Sequence, residues 1–170
     1  RGWQNVSVVT DGPWPALPRD TETPGQREYP VSPMSVVAAG TAERRLPVTD
    51  VPGEIAAGLR MSVCHPDPVL TEQAGAVITG GELTLTGEAG ETKYVTFDFQ
   101  RPVHGYPWLK LTEATEGLMI DLGYGELSFS LYNGEKHVDH TGWINTEGVV
   151  GSHYADRYIT RMGEQCVEIP

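Results

Sequence analysis

Cysteine is nearly absent. Cys64 and Cys166 are the two in 170 residues, too few for a disulfide framework. A single bridge tying the first part of the chain to the last strand and a pair of free thiols both remain open, and with them the redox compartment. Basic residues are scarce too: 12 Lys+Arg stand against 23 Asp+Glu, a formal charge of −11, which argues against nucleic acid and against anionic membrane surfaces as partners. No run of 18 apolar residues occurs to span a bilayer as a helix. There is no Gly-x-Ser-x-Gly elbow for a nucleophilic serine and no glycine-rich loop to cradle phosphate. Internal repeats and low-complexity tracts are missing as well. Asn5-Val6-Ser7 fits the glycosylation acceptor pattern, but the tripeptide is too common by chance to place the chain. An initiator methionine is also lacking, so the expectation is that Arg1 was exposed by processing or was cut from something longer.

What is present divides in two. A chain of this length suits one domain that buries about 70% of its unfolded surface. Ten of the thirteen prolines fall between Arg1 and Pro68, in phrases such as Gly12-Pro-Trp-Pro15 and His65-Pro-Asp-Pro68. Proline lacks a backbone donor and restricts the residue before it, so residues 1–70 read as an extended, mostly irregular lead-in packed on the body that follows. Trp3, Trp14 and Leu17 are apolar enough to need such a surface. Val6–Val9 and Met34–Val37 alternate and read as edge strands, and the stretch after Pro52 offers at most a helical turn because Gly58 weakens it.

Residues 71–170 alternate with period 2. Val95, Phe97 and Phe99 fall on one face of Tyr94–Phe99; Leu109 and Leu111, then Leu118, Ile120 and Leu122, then Leu127, Phe129 and Leu131 repeat the pattern. Glu82–Thr86 reads as a further strand before a Gly87–Gly90 turn, and Asn133-Gly134 as a hairpin turn. A loop is expected from Glu135 to Ser152, followed by strands over Tyr154–Arg161 and Gln165–Ile169. Regular strands broken by Gly or Pro, with one face buried and one wet, predict an all-β fold: an antiparallel β-sandwich. An apolar, strand-like end predicts that the natural chain continues past Pro170.

Several phrases then occur in order. Tyr94-Val-Thr-Phe-Asp-Phe-Gln-Arg-Pro-Val-His-Gly-Tyr-Pro-Trp-Leu-Lys-Leu111 resembles the opening of the β-sandwich that precedes the catalytic domain of bacterial-type α-L-rhamnosidases. Gly117-Leu-Met-Ile-Asp-Leu-Gly-Tyr-Gly-Glu-Leu127 is similar to that family's strand ending in Tyr-Gly-Glu-Leu. Tyr154-Ala-Asp-Arg-Tyr-Ile-Thr-Arg-Met-Gly-Glu-Gln165 is similar to its Ala-Asp-Arg-Tyr segment with a Gly turn, and Trp14–Asp20 to the Leu-x-Pro-Arg-Asp phrase of its linker. One departure is plain: Gln100 stands where the family usually has Gly. The resemblance implies a jelly-roll-like sandwich without catalytic residues, belonging to an enzyme that removes terminal α-L-rhamnose from glycans by inversion. The partner it implies is an α/α-toroid catalytic domain following in the same polypeptide, where the acid groups reside.

The chemistry legible in the residues themselves is modest. Glycoside hydrolysis needs two carboxyl groups, one with a raised pKa. Asp98, Asp121 and Glu126 are the carboxylates on the strands, and the wet face of a sheet is their ordinary place. Asp156 and Arg157 point to opposite sides of one strand, so each must find a partner elsewhere. His137-x-Asp-His140 has metal-ligand types without the spacing of a closed zinc site. A calcium site could use Asp139 and Asn145, but no Asp-rich loop signature supports it, and no cofactor is expected. Sugar recognition pairs an aromatic face with nearby acceptors. Trp143 with Asp139 and Asn145, and Tyr106 with Trp108, are the candidate platforms for a second reading, a carbohydrate-binding module for rhamnose-containing glycans.

Overall fold

The computed structural model describes residues 30–126, 129–132, 135–138, 140–146 and 154–168, with backbone pairing alone for residues 129–138. The chain forms two compact units, residues 1–31 and 32–170; the second is the one considered below. The expectations for Val6–Val9, for Trp3, Trp14 and Leu17, for the Trp14–Asp20 phrase and for Leu127 lie outside the described residues.

Strands dominate and every pairing is antiparallel. β1 (Ser35–Glu43) lies between β2 (Val63–Pro66) and β3 (Lys93–Asp98) in a three-stranded sheet. β4 (Trp108–Ala114) pairs with β9 (Gly163–Glu168), β5 (Met119–Gly123) with β8 (Ala155–Ile159), and β6 (Phe129–Tyr132) with β7 (Glu135–Val138). Among the described residues these four sheets share no hydrogen-bonded strand, and the fold is all-β with antiparallel sheets. The strand anticipated at Met34–Val37 is longer than its sequence suggests and central rather than at an edge. Ala38, Ala39 and Gly40 explain this, because their small side chains admit close neighbours: a Cβ at Gly40 would collide with the His65 carbonyl on β2. Glu82–Thr86 joins no sheet, and β7 occupies the start of the loop anticipated from Glu135.

Two helices exceed what the prolines suggest. α1 (Pro52–Arg60) begins with Pro at its first turn, where a missing N–H costs nothing, and carries Glu54 and Arg60 at the ends that favour their charges. It forms despite Gly58 because Ile55 and Ala56 are buried where the helix meets β5 and β8. α2 (Pro68–Ala74) is capped by Asp67, whose carboxylate accepts from Val69 N at 2.8 Å and Leu70 N at 3.2 Å, and a 3-10 turn, Gly75–Thr79, extends it. The Thr71 hydroxyl, 2.9 Å from the N–H of Ala39, docks α2 onto β1.

Residues 140–146 act as a clasp. Tyr94 Oη donates to Thr141 O and Thr96 Oγ1 to Gly142 O at 2.6 Å, so the face of β3 anticipated as wet is covered at Tyr94 and Thr96, while Asp98 stays exposed. From the same segment, Trp143 Nε1 donates to Arg60 O and Thr146 Oγ1 to Ala56 O, both at 2.7 Å, fixing the far side of α1. Among the described residues, the buried apolar ones are Ala38, Ala39, Ile55, Ala56, Ala74 and Val167. Val95, Phe97, Phe99, Leu109, Leu111, Ile120 and Leu122 are half-buried, and Leu118, anticipated inside, is exposed.

Candidate functional site

The outer face of the β4–β9 ladder carries the most exposed chemistry. Alternation sends Leu109, Leu111 and Val167 inward and leaves Trp108, Lys110, Glu164, Cys166 and Glu168 on the wet side. Trp108 stands directly opposite Glu168, and Lys110 opposite Cys166. Lys110 Nζ lies 3.2 Å from Glu164 Oε1, and that carboxylate raises the ammonium's pKa, with smaller contributions from Cys166 and Glu82. Tyr106 and Trp108 are each 61% exposed, a large apolar area to leave in water. An indole flanked by carboxylates and an ammonium can stack on the C–H face of a sugar while hydrogen-bonding its hydroxyls.

At the other anticipated platform the indole N–H is engaged within the fold. Trp143 is half-buried with its N–H spent on the end of α1. Asn145 is half-buried too, and its backbone carbonyl packs so closely on Gly125 that a Cβ there would lie 2.6 Å from it. Asp139 lies outside the described residues. Among the described residues no group of three His, Cys, Asp or Glu is placed to hold a metal ion. Cys166 is an exposed free thiol, so no bridge joins it to Cys64.

Asp121 is not on a wet face. It lies opposite Arg157 on the β5–β8 ladder and accepts from its Nε at 2.6 Å and its Nη2 at 2.9 Å, a two-pronged pair with side chains 6% and 8% exposed. Arg44 Nη1 adds a third contact at 3.1 Å. Burial raises the Asp121 pKa, but the hydrogen bonds from Arg157 and then Arg44 outweigh it and hold the carboxyl below the ordinary value of 3.8. Arg157 Nη1 also donates to Thr49 O and to Asp50 Oδ1, so the β1–α1 connection is strapped across the ladder. A group this strongly held as its anion cannot deliver a proton near neutral pH.

Asp98 accepts from the Gln100 N–H at 2.7 Å and shapes a turn, while Glu126 is exposed. The Tyr124 hydroxyl is buried without a hydrogen bond of good geometry; burial, then the nearby Asp156, push its pKa up. Neither the Asp121 cluster nor the acids around Trp108 is visible as a site in the sequence, because each depends on strand register. The opposite faces of Asp156 and Arg157 were the one signal available. No protein-family model, no curated protein and no solved structure matches this chain.

Proposed function

We propose that this chain is a non-catalytic, jelly-roll-like β-sandwich portion of an α-L-rhamnosidase-like glycoside hydrolase. On this reading the parent enzyme removes terminal α-L-rhamnose by inversion, and the chain buttresses an α/α-toroid catalytic domain that follows it. The observation that carries the reading is Gln100. Among the described residues it is the one non-glycine with positive φ, +53°, and it occupies the position where the resemblance expects glycine. The residue type differs, yet glycine's conformation is kept, supported by the Asp98 side chain. Asp121 agrees with a non-catalytic role, since a general acid needs a raised pKa and this one is lowered. The coding sequence after Pro170 tests the proposal: it should run on into a long helical region, and a second strand-rich domain there would refute it. The chain alone should leave an aryl α-L-rhamnoside intact; turnover that survives repurification would refute it equally.

A carbohydrate-binding module is the second reading, and the exposure of Trp108 favours it. Titration calorimetry with L-rhamnose, with and without calcium, separates the two. If the module reading holds, Trp108→Ala weakens binding by about tenfold or more without changing thermal stability. Trp143→Ala instead lowers stability by about 2 kcal/mol, through lost packing and the lost bond to Arg60. Unchanged affinity in Trp108→Ala would remove this platform from consideration.

A further inference from the structure

We propose that Glu82–Thr86 is a strand-addition surface whose occupant is the same segment of a second copy of this chain, paired antiparallel about Thr84. Glu82-Leu-Thr-Leu-Thr86 has the alternation and β-branched residues of a strand, yet it belongs to no sheet. It is tethered at both ends. Gly81 N–H donates to Ala76 O at 2.9 Å. Gly87 leads into a turn closed by Glu91 N–H to Glu88 O at 3.0 Å and by Glu88 N–H to the Glu91 carboxylate at 3.2 Å. Between the tethers no backbone group is hydrogen-bonded to another described residue. Such an edge is a template for another strand, and its tethering lowers the entropy cost of pairing.

The pattern selects the partner. Antiparallel pairing about Thr84 sets Leu83 opposite the second copy's Leu85, Glu82 opposite Thr86, and the two Thr84 residues opposite each other. Apolar meets apolar on one face and no two carboxylates face one another. A one-residue slip would set Leu against Thr. Leu85 is 49% exposed and, with the exposed Val69 of α2, lines an open cavity of about 200 Å³ whose other walls include Asp67, Gln73 and Lys93, so two exposed apolar side chains in a largely polar surface stand at the strand for a second copy to cover. The two-fold arrangement is isologous, the same edge of each copy meeting the other.

Sedimentation and amide hydrogen exchange over a concentration series test this together. The weight-average mass should rise from 18.5 kDa toward twice that value, more steeply at high salt because each copy carries a charge of −11. Exchange at Leu83–Leu85 should slow in parallel. Leu83→Pro and Thr84→Pro are compared because donors alternate along a strand, so one of them must remove an interchain N–H; that variant stays at monomer mass with an unchanged thermal midpoint. A monomer at every concentration overturns the proposal. So does slow exchange already present at the lowest concentration, association that leaves exchange at Leu83–Leu85 unchanged, or a dimer undiminished in both variants.

Discussion

Gln100 holds a conformation that L side chains avoid, and the left-handed region costs a non-glycine residue roughly 1–2 kcal/mol. Gln100→Gly removes that strain but loosens the unfolded chain by about 0.5–1 kcal/mol. Because the Asp98 contact uses the backbone N–H, it survives the change. The expected net effect is a small gain, under about 1 kcal/mol, read as a higher denaturation midpoint; a lower midpoint would mean the turn does not need this geometry. Asp121 lies at the other extreme of cost. Asp121→Asn leaves Arg157 and Arg44 facing each other around a neutral group and should cost about 3–5 kcal/mol, measured by denaturant unfolding at pH 7. The folded pKa of Asp121 lies below its unfolded value, so the stabilisation is complete above the ordinary carboxylate range. It is lost as pH falls below about 3.8 and through the depressed folded value. Wild type should therefore lose stability more steeply in acid than Asp121→Asn, and parallel acid curves would contradict the assignment.

At the scale of elements, the 140–146 clasp adds two hydrogen bonds to the burial of Ile55 and Ala56 that holds α1 despite Gly58. Its weakest point for substitution is Gly142, with φ +85° and a hypothetical Cβ 2.9 Å from the Tyr94 ring and 3.1 Å from Ala38 Cβ. Gly142→Ala combines left-handed strain with overpacking and should cost about 2–4 kcal/mol in thermal or denaturant unfolding; a neutral result would show that the clasp yields. The same element shows what the sequence could carry. β3, β4, β5, β8 and β9 were legible because alternation and turn residues are local. α2 was not, although Asp67-Pro68 combines a capping residue with a proline at the first helical position; among so many prolines it reads as extended chain. β1 was half-legible, since Ala38–Gly40 has no alternation and owes its strand to neighbours on both sides. For the site, Trp108 and Tyr106 were legible as aromatics on or beside a strand. The structural part of Trp143 was not legible, because nothing local reveals that its N–H serves the end of a helix 83 residues away.

Among the described residues of the second unit, the buried apolar residues are mostly alanine, with Ile55 and Val167 the larger members, while Leu109, Leu111 and Leu122 of the ladders are half-buried. Ile55→Ala should accordingly cost about 2–4 kcal/mol and set the upper scale for single truncations. A jelly-roll-like sandwich, as proposed, requires the β4–β9 and β5–β8 ladders to share one interior, with Leu111 on the inward side of the first and Leu122 on that of the second. Residues that share an interior do not truncate independently. A double-mutant cycle of Leu111→Ala and Leu122→Ala should then give a coupling of at least about 0.5 kcal/mol, whereas separate ladders add within about 0.3–0.5 kcal/mol. Each single change should stay below the Ile55→Ala cost because both leucines retain partial contact with water. Strict additivity in that cycle would mean that the ladders bury their inner faces separately, and the stacked arrangement would have to be abandoned even if the rhamnosidase-like assignment survived.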